Sequence, residues 1–397
     1  MTINNEHKKL NVPNLRFPEF QGEWEKCILG DITENFNLRN KDKIQYPMFS
    51  VTNDRGFVPQ SEQFEGRDMV GEDIKAYKII HTNDFAYNPA RINVGSIAMY
   101  TGEKPCMISS LYVCFKTTKE VNNEWLMQLL KTPKMNYYYN VNGEGGVRVY
   151  LFYPNFARIR MSIPKKEEQK KIAKLLNLID ERIAIQNKII DKLQSLIKGI
   201  NQRVFKNSGN NYKLGEICEI RSGYSGSQLL SKKGLKVSRI ETISGHKVNM
   251  ERVGYVAPFE SSENYRLRVG DILFSNINSV EYIGNTAFID KDYDLYHGMN
   301  LLRLTPNHMV VIPFYLYLLL NTNRMLNRFK TICNKAVSQA SINQTELGKT
   351  VVQIPPINTQ EQICELYQAL YTKLETESHT KSLFQNQKQY LLRQMFI

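Results

Sequence analysis

Two short polar segments carry side chains suited to reading the edges of another molecule. Tyr87-Asn88-Pro89-Ala90-Arg91-Ile92-Asn93 and Ser275-Asn276-Ile277-Asn278-Ser279 each follow a strand-like run, where a loop would project. An asparagine amide can bridge adenine N6 and N7, and an arginine can bridge guanine O6 and N7. Asparagine, serine and proline are also the usual turn formers, so a plain turn stands beside the base-reading role. Farther along, Arg148 and the basic loop residues Lys335, Ser338 and Gln339 could serve phosphates. Tyr137, Tyr138 and Tyr139 fit core and rim packing as well as a stacking platform for bases.

Reactive constellations are harder to find. There is no G-x-x-x-x-G-K-[ST] loop for a nucleotide. Gly143-Glu144-Gly145-Gly146 lacks the spacing and context of a dinucleotide loop and reads as a connector. The 6 histidines form no H-x₃-H or H-E-x-x-H pattern, so no metal site is expected. Asn88-Pro89-Ala90-Arg91 faintly resembles the Asn-Pro-Pro-aromatic motif of amino-methyltransferases, but lacks the second proline and the ring that holds a flipped base. Asp73-Ile74-Lys75 could imitate the end of a nuclease cluster but has no Pro-Asp partner upstream. The chain is therefore expected to be non-catalytic, with no cofactor of its own. Scattered cysteines without a C-x-x-C pair argue for free thiols in a reducing cytoplasm. The longest apolar run, Val310 to Leu320, is short against the ~20 residues of a spanning helix, and the first nine residues hold no apolar signal region.

Charge points to the partner. The formal net charge is +13, and residues 151–250 alone hold 20 basic against 8 acidic side chains. Between Asp294 and Glu346, Arg303, Arg324, Arg328, Lys330 and Lys335 have no carboxylate among them. Clustered positive charge near tyrosine and asparagine is the footprint of a polyanion binder; a solvated basic face is the blander alternative.

An internal repeat organises the elements that must position these residues. Ile163-Pro164 matches Ile354-Pro355 at an offset of 191, as do Leu151 with Ile342 and Phe156 with Leu347. Upstream the offset shrinks in order: Leu126 with Leu316, Gly95 with Gly284, Asp84 with Asp271, and Leu29-Gly30-Asp31-Ile32 with Leu214-Gly215-Glu216-Ile217. A steady drift of this kind is what small loop insertions leave after a duplication. Each half begins with strand-like runs, Lys78–Ala90 with Gly95–Tyr100 and Val269–Ser275 with Thr286–Ile289. A short helix follows, around Asn123–Lys131 and Pro313–Asn321, then a loop-like stretch, 142–148 or 333–339, then Ile-Pro and a long helix.

The first long helix carries an a/d seam of Ile172, Leu176, Ile179, Ile183, Gln186, Ile190, Leu193, Ile197, Ile200 and Val204. The offset of 191 projects a second seam through Ile363, Tyr367, Leu370, Leu374, Glu377, Lys381, Phe384, Lys388, Leu391 and Met395, with a register shift toward Leu383 and Leu392 expected where charges intrude. About 35 residues at ~1.5 Å each give a rod of roughly 50 Å. Neither helix can bury its stripe alone, so an antiparallel pairing is expected, with the globular parts at opposite ends of a shared rod.

Two divergent globular parts, each followed by an Ile-Pro junction and a long helix, resemble the specificity subunit of type I restriction–modification systems (HsdS-like). Val12-Pro13-Asn14-Leu15-Arg16-Phe17-Pro18-Glu19-Phe20, Trp24 and Leu29-Gly30-Asp31-Ile32 carry the same resemblance, which covers essentially the whole chain. It implies a mixed α+β fold: two mixed α/β target recognition domains in tandem, joined by two long antiparallel coiled-coil helices in a pseudo-two-fold arrangement. The divisions implied are residues 1–160 for the first target recognition domain, 161–206 for the central helix, 207–352 for the second domain and 353–397 for the C-terminal helix. Each domain would read one half of a bipartite, asymmetric double-stranded DNA site. The helices would set the gap and dock two methylase subunits, with restriction (endonuclease/translocase) subunits joining them. S-adenosylmethionine, ATP and magnesium would sit on those partners. A different class of function, an orphan DNA-binding scaffold or regulator acting without a methylase, is the alternative.

Overall fold

The computed structural model describes residues 10–63, 74–145, 149–205, 209–336 and 339–397. The chain divides into two compact units, residues 1–187 with 379–397 and residues 188–378. In the first unit a four-stranded antiparallel sheet runs in the order Thr33–Phe36, Val113–Thr117, Phe85–Tyr87, Ile97–Met99. Phe85 lies opposite both Phe115 and Met99 in its register. Helices Asn123–Leu130, Pro133–Asn142 and Tyr153–Ala157 bring Trp125, Tyr139 and Phe156 against the Phe85, Tyr87 and Phe115 side chains. The second unit repeats the plan: Cys218–Ser222, Leu302–Pro306, Ile272–Phe274, Thr286–Phe288. A separate pair of strands closes each unit, Glu25–Ile28 with Arg160–Ile163 and Asn210–Lys213 with Val351–Ile354.

The repeat extends to individual atoms. Asp84 accepts a backbone hydrogen bond from His81 N at 2.8 Å, and Asp271 accepts one from Arg268 N at 2.8 Å, both carboxylates being buried. Gly95 and Gly284 share the left-handed region, φ +101° and +85°, which only glycine enters without strain. Thr132 and Thr322 cap the N-termini of matching helices by accepting from Met135 N and Met325 N. At the junctions, Gln169 donates to Pro164 O at 2.9 Å and accepts from Asn122 N at 2.7 Å. Gln360 likewise donates to Pro355 O at 2.8 Å and accepts from Ile312 N at 2.8 Å. Each buried amide thus ties the base of a long helix to the cap of a short one, and this is why a glutamine recurs six residues after each Ile-Pro isoleucine.

The long helices span Lys166–Val204 and Ile357–Gln394. Within the first unit, Ile172, Leu176 and Ile179 pack with Leu391, Leu392 and Met395, and Lys388 pairs with Asp180 at 2.6 Å. Within the second, Ile197, Ile200 and Val204 share a core with Ile363, Tyr367, Leu370 and Leu374. The start of one helix therefore lies beside the end of the other, an antiparallel pairing. All ten projected positions on each helix are buried or half-buried, including Ile183, Ile190 and Leu193 on the first. The register shift toward Leu383 does not occur: Leu383 is exposed, and Phe384 packs inward instead. Two of the three charges that suggested a shift are neutralised in place, Lys388 by Asp180 and Glu377 by Lys373. Leu392 is buried as expected, but alongside Leu391.

Three other expectations change. The run Lys78–Ala90 is two strands, Lys78–Ile80 and Phe85–Tyr87, separated by a turn in which Asn83 has φ +71°. In Val269–Ser275 only Ile272–Phe274 is strand, because Gly270 turns the chain with φ +97°. The segment 333–339 is not all loop: Asn334–Lys335 pairs with Ala340–Ser341.

His297 gives the second unit a pH dependence. It is buried, its Nε2–H donates to Leu301 O at 3.0 Å, and burial pushes the imidazole down to about 4. In the unfolded chain the ring binds its proton near the ordinary value of ~6.5. Stability is then complete above that value and is lost as pH falls toward the folded one, by about 2 kcal/mol at pH 5. Peptide-resolved amide exchange at pH 7 and pH 5 should show this loss in residues 188–378, and His297→Gln should shrink it. An equal acid response in the variant would remove His297 as the cause.

Candidate nucleic-acid interface

In the first unit the strand Phe85–Tyr87 runs into the turn Asn88–Gly95, and the chain returns beside it through Val149–Phe152. Leu151 N donates to Pro89 O at 3.0 Å and fixes the two segments together. Tyr150, Leu151 and Phe152 alternate outward, inward, outward, so Leu151 is buried while the rings of Tyr150 and Phe152 stand half-exposed with centroids 6.3 Å apart and planes at 12°. With Asn88, Arg91, Asn93 and the exposed Leu111 they line a cleft of about 800 Å³. An exposed guanidinium beside stacked aromatic faces can grip a phosphate, bridge a guanine edge or stack on a base.

The second unit makes the matching connection. Ile342 N donates to Asn276 O at 2.9 Å. Ile277–Asn278 pairs with Ala340–Ser341, which pairs with Asn334–Lys335, forming a three-stranded sheet. Ala336 N donates to Gln339 O at 2.7 Å, and Lys335 and Gln339 are both exposed. Asn276, Asn278, Lys335 and Gln339 are thus brought together, as are Asn88, Arg91 and Asn93 in the first unit.

Not every candidate stays available. Tyr87 is fully buried against Phe115 and Phe156, and Ser275 is buried, its hydroxyl oxygen accepting from Asn278 Nδ2 at 3.1 Å. Both lie on the strand side of their turns, where alternation points them into the core, so neither can touch a ligand on this surface. Asn88 spends its carbonyl oxygen on Ala90 N at 3.0 Å, and Asn278 spends its own on Ser279 N at 2.8 Å. For these two the turn role is the one the bonds support. Asn93 donates to Asn140 Oδ1 at 3.0 Å, and Asn276 donates to Ile342 O at 3.3 Å. Arg148 and Ser338 lie outside the described residues. Of the tyrosines, Tyr139 is core, Tyr138 is half-buried and Tyr137 is exposed.

The exposed aromatics Tyr150 and Phe152 were missed by the sequence reading; their period-two alternation around Leu151 was the available signal. Among the described residues, no group of histidine, cysteine or acidic side chains could hold a metal ion, and no helix is long and apolar enough to cross a membrane. The cysteines are free, and burial pushes the thiols of Cys106, Cys114 and Cys218 up to about 12, far from a reactive thiolate.

Duplicated α+β units with divergent surface loops and a basic composition define a tandem recognition protein. The type I restriction modification DNA specificity domain (Methylase_S) matches residues 21–195 and again residues 208–383. The chain belongs to that family. Its function is DNA-sequence recognition in a type I restriction–modification complex; it is a specificity subunit and not a methylase or nuclease. It is similar to the MjaX specificity subunit of Methanocaldococcus jannaschii, at 38% identity over 46% of this chain and 44% of that one. The MjaVIII type I restriction enzyme specificity subunit of the same organism is 23% identical over 95% of this chain and 92% of its own length. In fold the chain resembles the crystal structure of a type I restriction–modification S subunit from M. genitalium, with TM-score 0.60, 14% identity, and coverage of 97% of this chain and 99% of that one.

Proposed function

We propose that each target recognition domain, residues 1–160 and 207–352, reads one half of a bipartite, asymmetric double-stranded DNA site. One observation carries this: the same pair of segments is joined in both units by the same backbone bond, Leu151 N to Pro89 O and Ile342 N to Asn276 O, yet different side chains line it. Arg91, Tyr150 and Phe152 face outward in one, Lys335 and Gln339 in the other. A common scaffold with unlike contact residues reads unlike half-sites.

The long helices, in this reading, set the gap and dock two methylase subunits. Leu178 and Ile185, seven residues apart, are half-exposed on the side of the first helix away from its seam, which suits an apolar partner surface. Restriction (endonuclease/translocase) subunits would join the same assembly in the cytoplasm. S-adenosylmethionine, ATP and magnesium would be held by those partners, as the family resemblance implies. The test is an exchange of residues 1–160 for those of another specificity subunit, followed by methylome sequencing. One half of the methylated motif should change while the other half and the gap persist. A change in both halves, or in neither, would reject modular reading.

A further inference from the structure

The first strand of each central sheet leads into a surface loop that the candidate interface does not include. In the second unit this is Gly223–Gly234, and both of its feet are held. A Cβ on Gly223 would lie 1.8 Å from Gly298 O, and one on Gly234, at φ +138°, would lie 2.4 Å from Val256 O. Tyr224 stacks on Phe259 with ring centroids 3.9 Å apart and planes at 6°. Leu229 N donates to Tyr255 O at 2.7 Å. The next residue, Leu230, is fully exposed, at 108% of its reference area.

A solitary exposed leucine needs no explanation. This one sits where the backbone has just been pinned, and Lys232 and Lys233 follow it. Between Glu219 and Glu241 there is no carboxylate, while Arg221, Lys232, Lys233, Lys236 and Arg239 are basic. The corresponding loop of the first unit follows Thr33–Phe36 and exposes Lys41, Asp42, Lys43 and Ile44, so one carboxylate stands between its lysines. An offset of 186 sets Ile44 against Leu230. An apolar tip beside lysines therefore recurs in both halves, although the two loop sequences otherwise differ.

Such a tip has a known physical use on a duplex: cations neutralise phosphates while an apolar side chain unstacks a base step. We propose that Gly223–Gly234 is a duplex-gripping arm in which Lys232 and Lys233 hold backbone phosphates and Leu230 wedges against a base-pair step. The inference rests on the DNA-reading function and adds a contact that senses how easily the duplex deforms. Pinned feet suit this task, because less ordering entropy is lost on binding.

The experiment uses the full chain assembled with its methylase subunits. The probe is a duplex bearing the motif found by methylome sequencing, with 2-aminopurine placed at successive positions. The wild-type complex should raise the probe fluorescence at one step. Leu230→Ala should abolish that rise and weaken binding about tenfold, with the salt dependence unchanged. The double variant Lys232→Gln/Lys233→Gln should lower the slope of log K against log salt by about 2, from ~0.9 per phosphate. Wild-type binding accompanied by an unchanged fluorescence rise in Leu230→Ala, or an unchanged slope in the lysine variant, overturns the proposal. So does loss of methylase subunits with duplex binding intact, which would make the loop a protein contact. A wild-type complex that binds no duplex would instead sink the DNA reading itself.

Discussion

Replacing Arg91 with alanine should weaken binding of the assembled complex to its target by about 10- to 100-fold, the ~1–3 kcal/mol of a bidentate guanidinium contact. The side chain is exposed at the mouth of the first unit's cleft, next to Tyr150 and Phe152, and its own turn is held by backbone bonds from Val94 N and Ser96 N to Arg91 O. Truncation therefore removes a contact without loosening the loop. The methylated motif separates the two roles Arg91 could play. A base contact relaxes one position in one half-site and leaves the other half intact. A phosphate contact lowers affinity uniformly, keeps the motif, and reduces the salt slope by about 1. Unaltered affinity and motif together would take this cleft off the DNA surface.

Legibility in the sequence followed the strength of the physical constraint. Periodicity fixes which side of a long helix is buried, because each seam position must face the same way every 3.5 residues. Even Glu377, Lys381 and Lys388 obeyed it, and there the sequence misled: a charge at a seam position looks like a break in register until its partner is seen. Asp180, which neutralises Lys388, stands 208 residues away, and no local pattern announces that distance. The Ile-Pro junction was legible as a repeat at an offset of 191, but the glutamine six residues after each isoleucine was not singled out, because only one of its two backbone partners is local and the other lies far off in the chain.

The candidate contact residues were half legible. Alternation along Phe85–Tyr87 already placed Tyr87 on the same side as Phe85, inside the sheet, yet residue type alone kept it among the candidates. Asn88 and Asn278 illustrate a deeper ambiguity. The side chain that could bridge adenine is also the one that bonds its own turn, Asn88 to Ala90 N in an Asx turn and Asn278 to the adjacent Ser279 N, and residue type does not tell the two uses apart. Arginine closes no Asx turn with its own side chain, and Arg91 stands exposed at the cleft as a candidate contact. The loops that diverge most between the halves are also where the repeat fades, which hides their equivalence from sequence comparison while marking them as the place where specificity can differ.

The largest effect on stability is expected at Glu168. This carboxylate is buried and accepts from Arg16 Nε and Nη2 at 2.8 Å each, and from Trp24 Nε1 at 3.2 Å. It fastens the segment before the first strand to the base of the first long helix. The corresponding position in the second half is Thr359, so this clasp belongs to the first unit alone. Glu168→Ala would strand a largely buried guanidinium and an indole N–H. Removing one partner of a buried pair typically costs ~3–5 kcal/mol, and the lower end, about 3 kcal/mol, applies because Arg16 keeps some access to water. Denaturant titration read by peptide-resolved amide exchange should show protection lost in Glu25–Ile28 and the first turns of Lys166–Val204, with residues 209–336 unmoved. Replacing both partners, Arg16→Met with Glu168→Met, should recover much of the loss, because the penalty comes from an orphaned charge and not from missing attraction. Equal destabilisation of both units by Glu168→Ala, or none in either, would show that the clasp does not hold the first unit together.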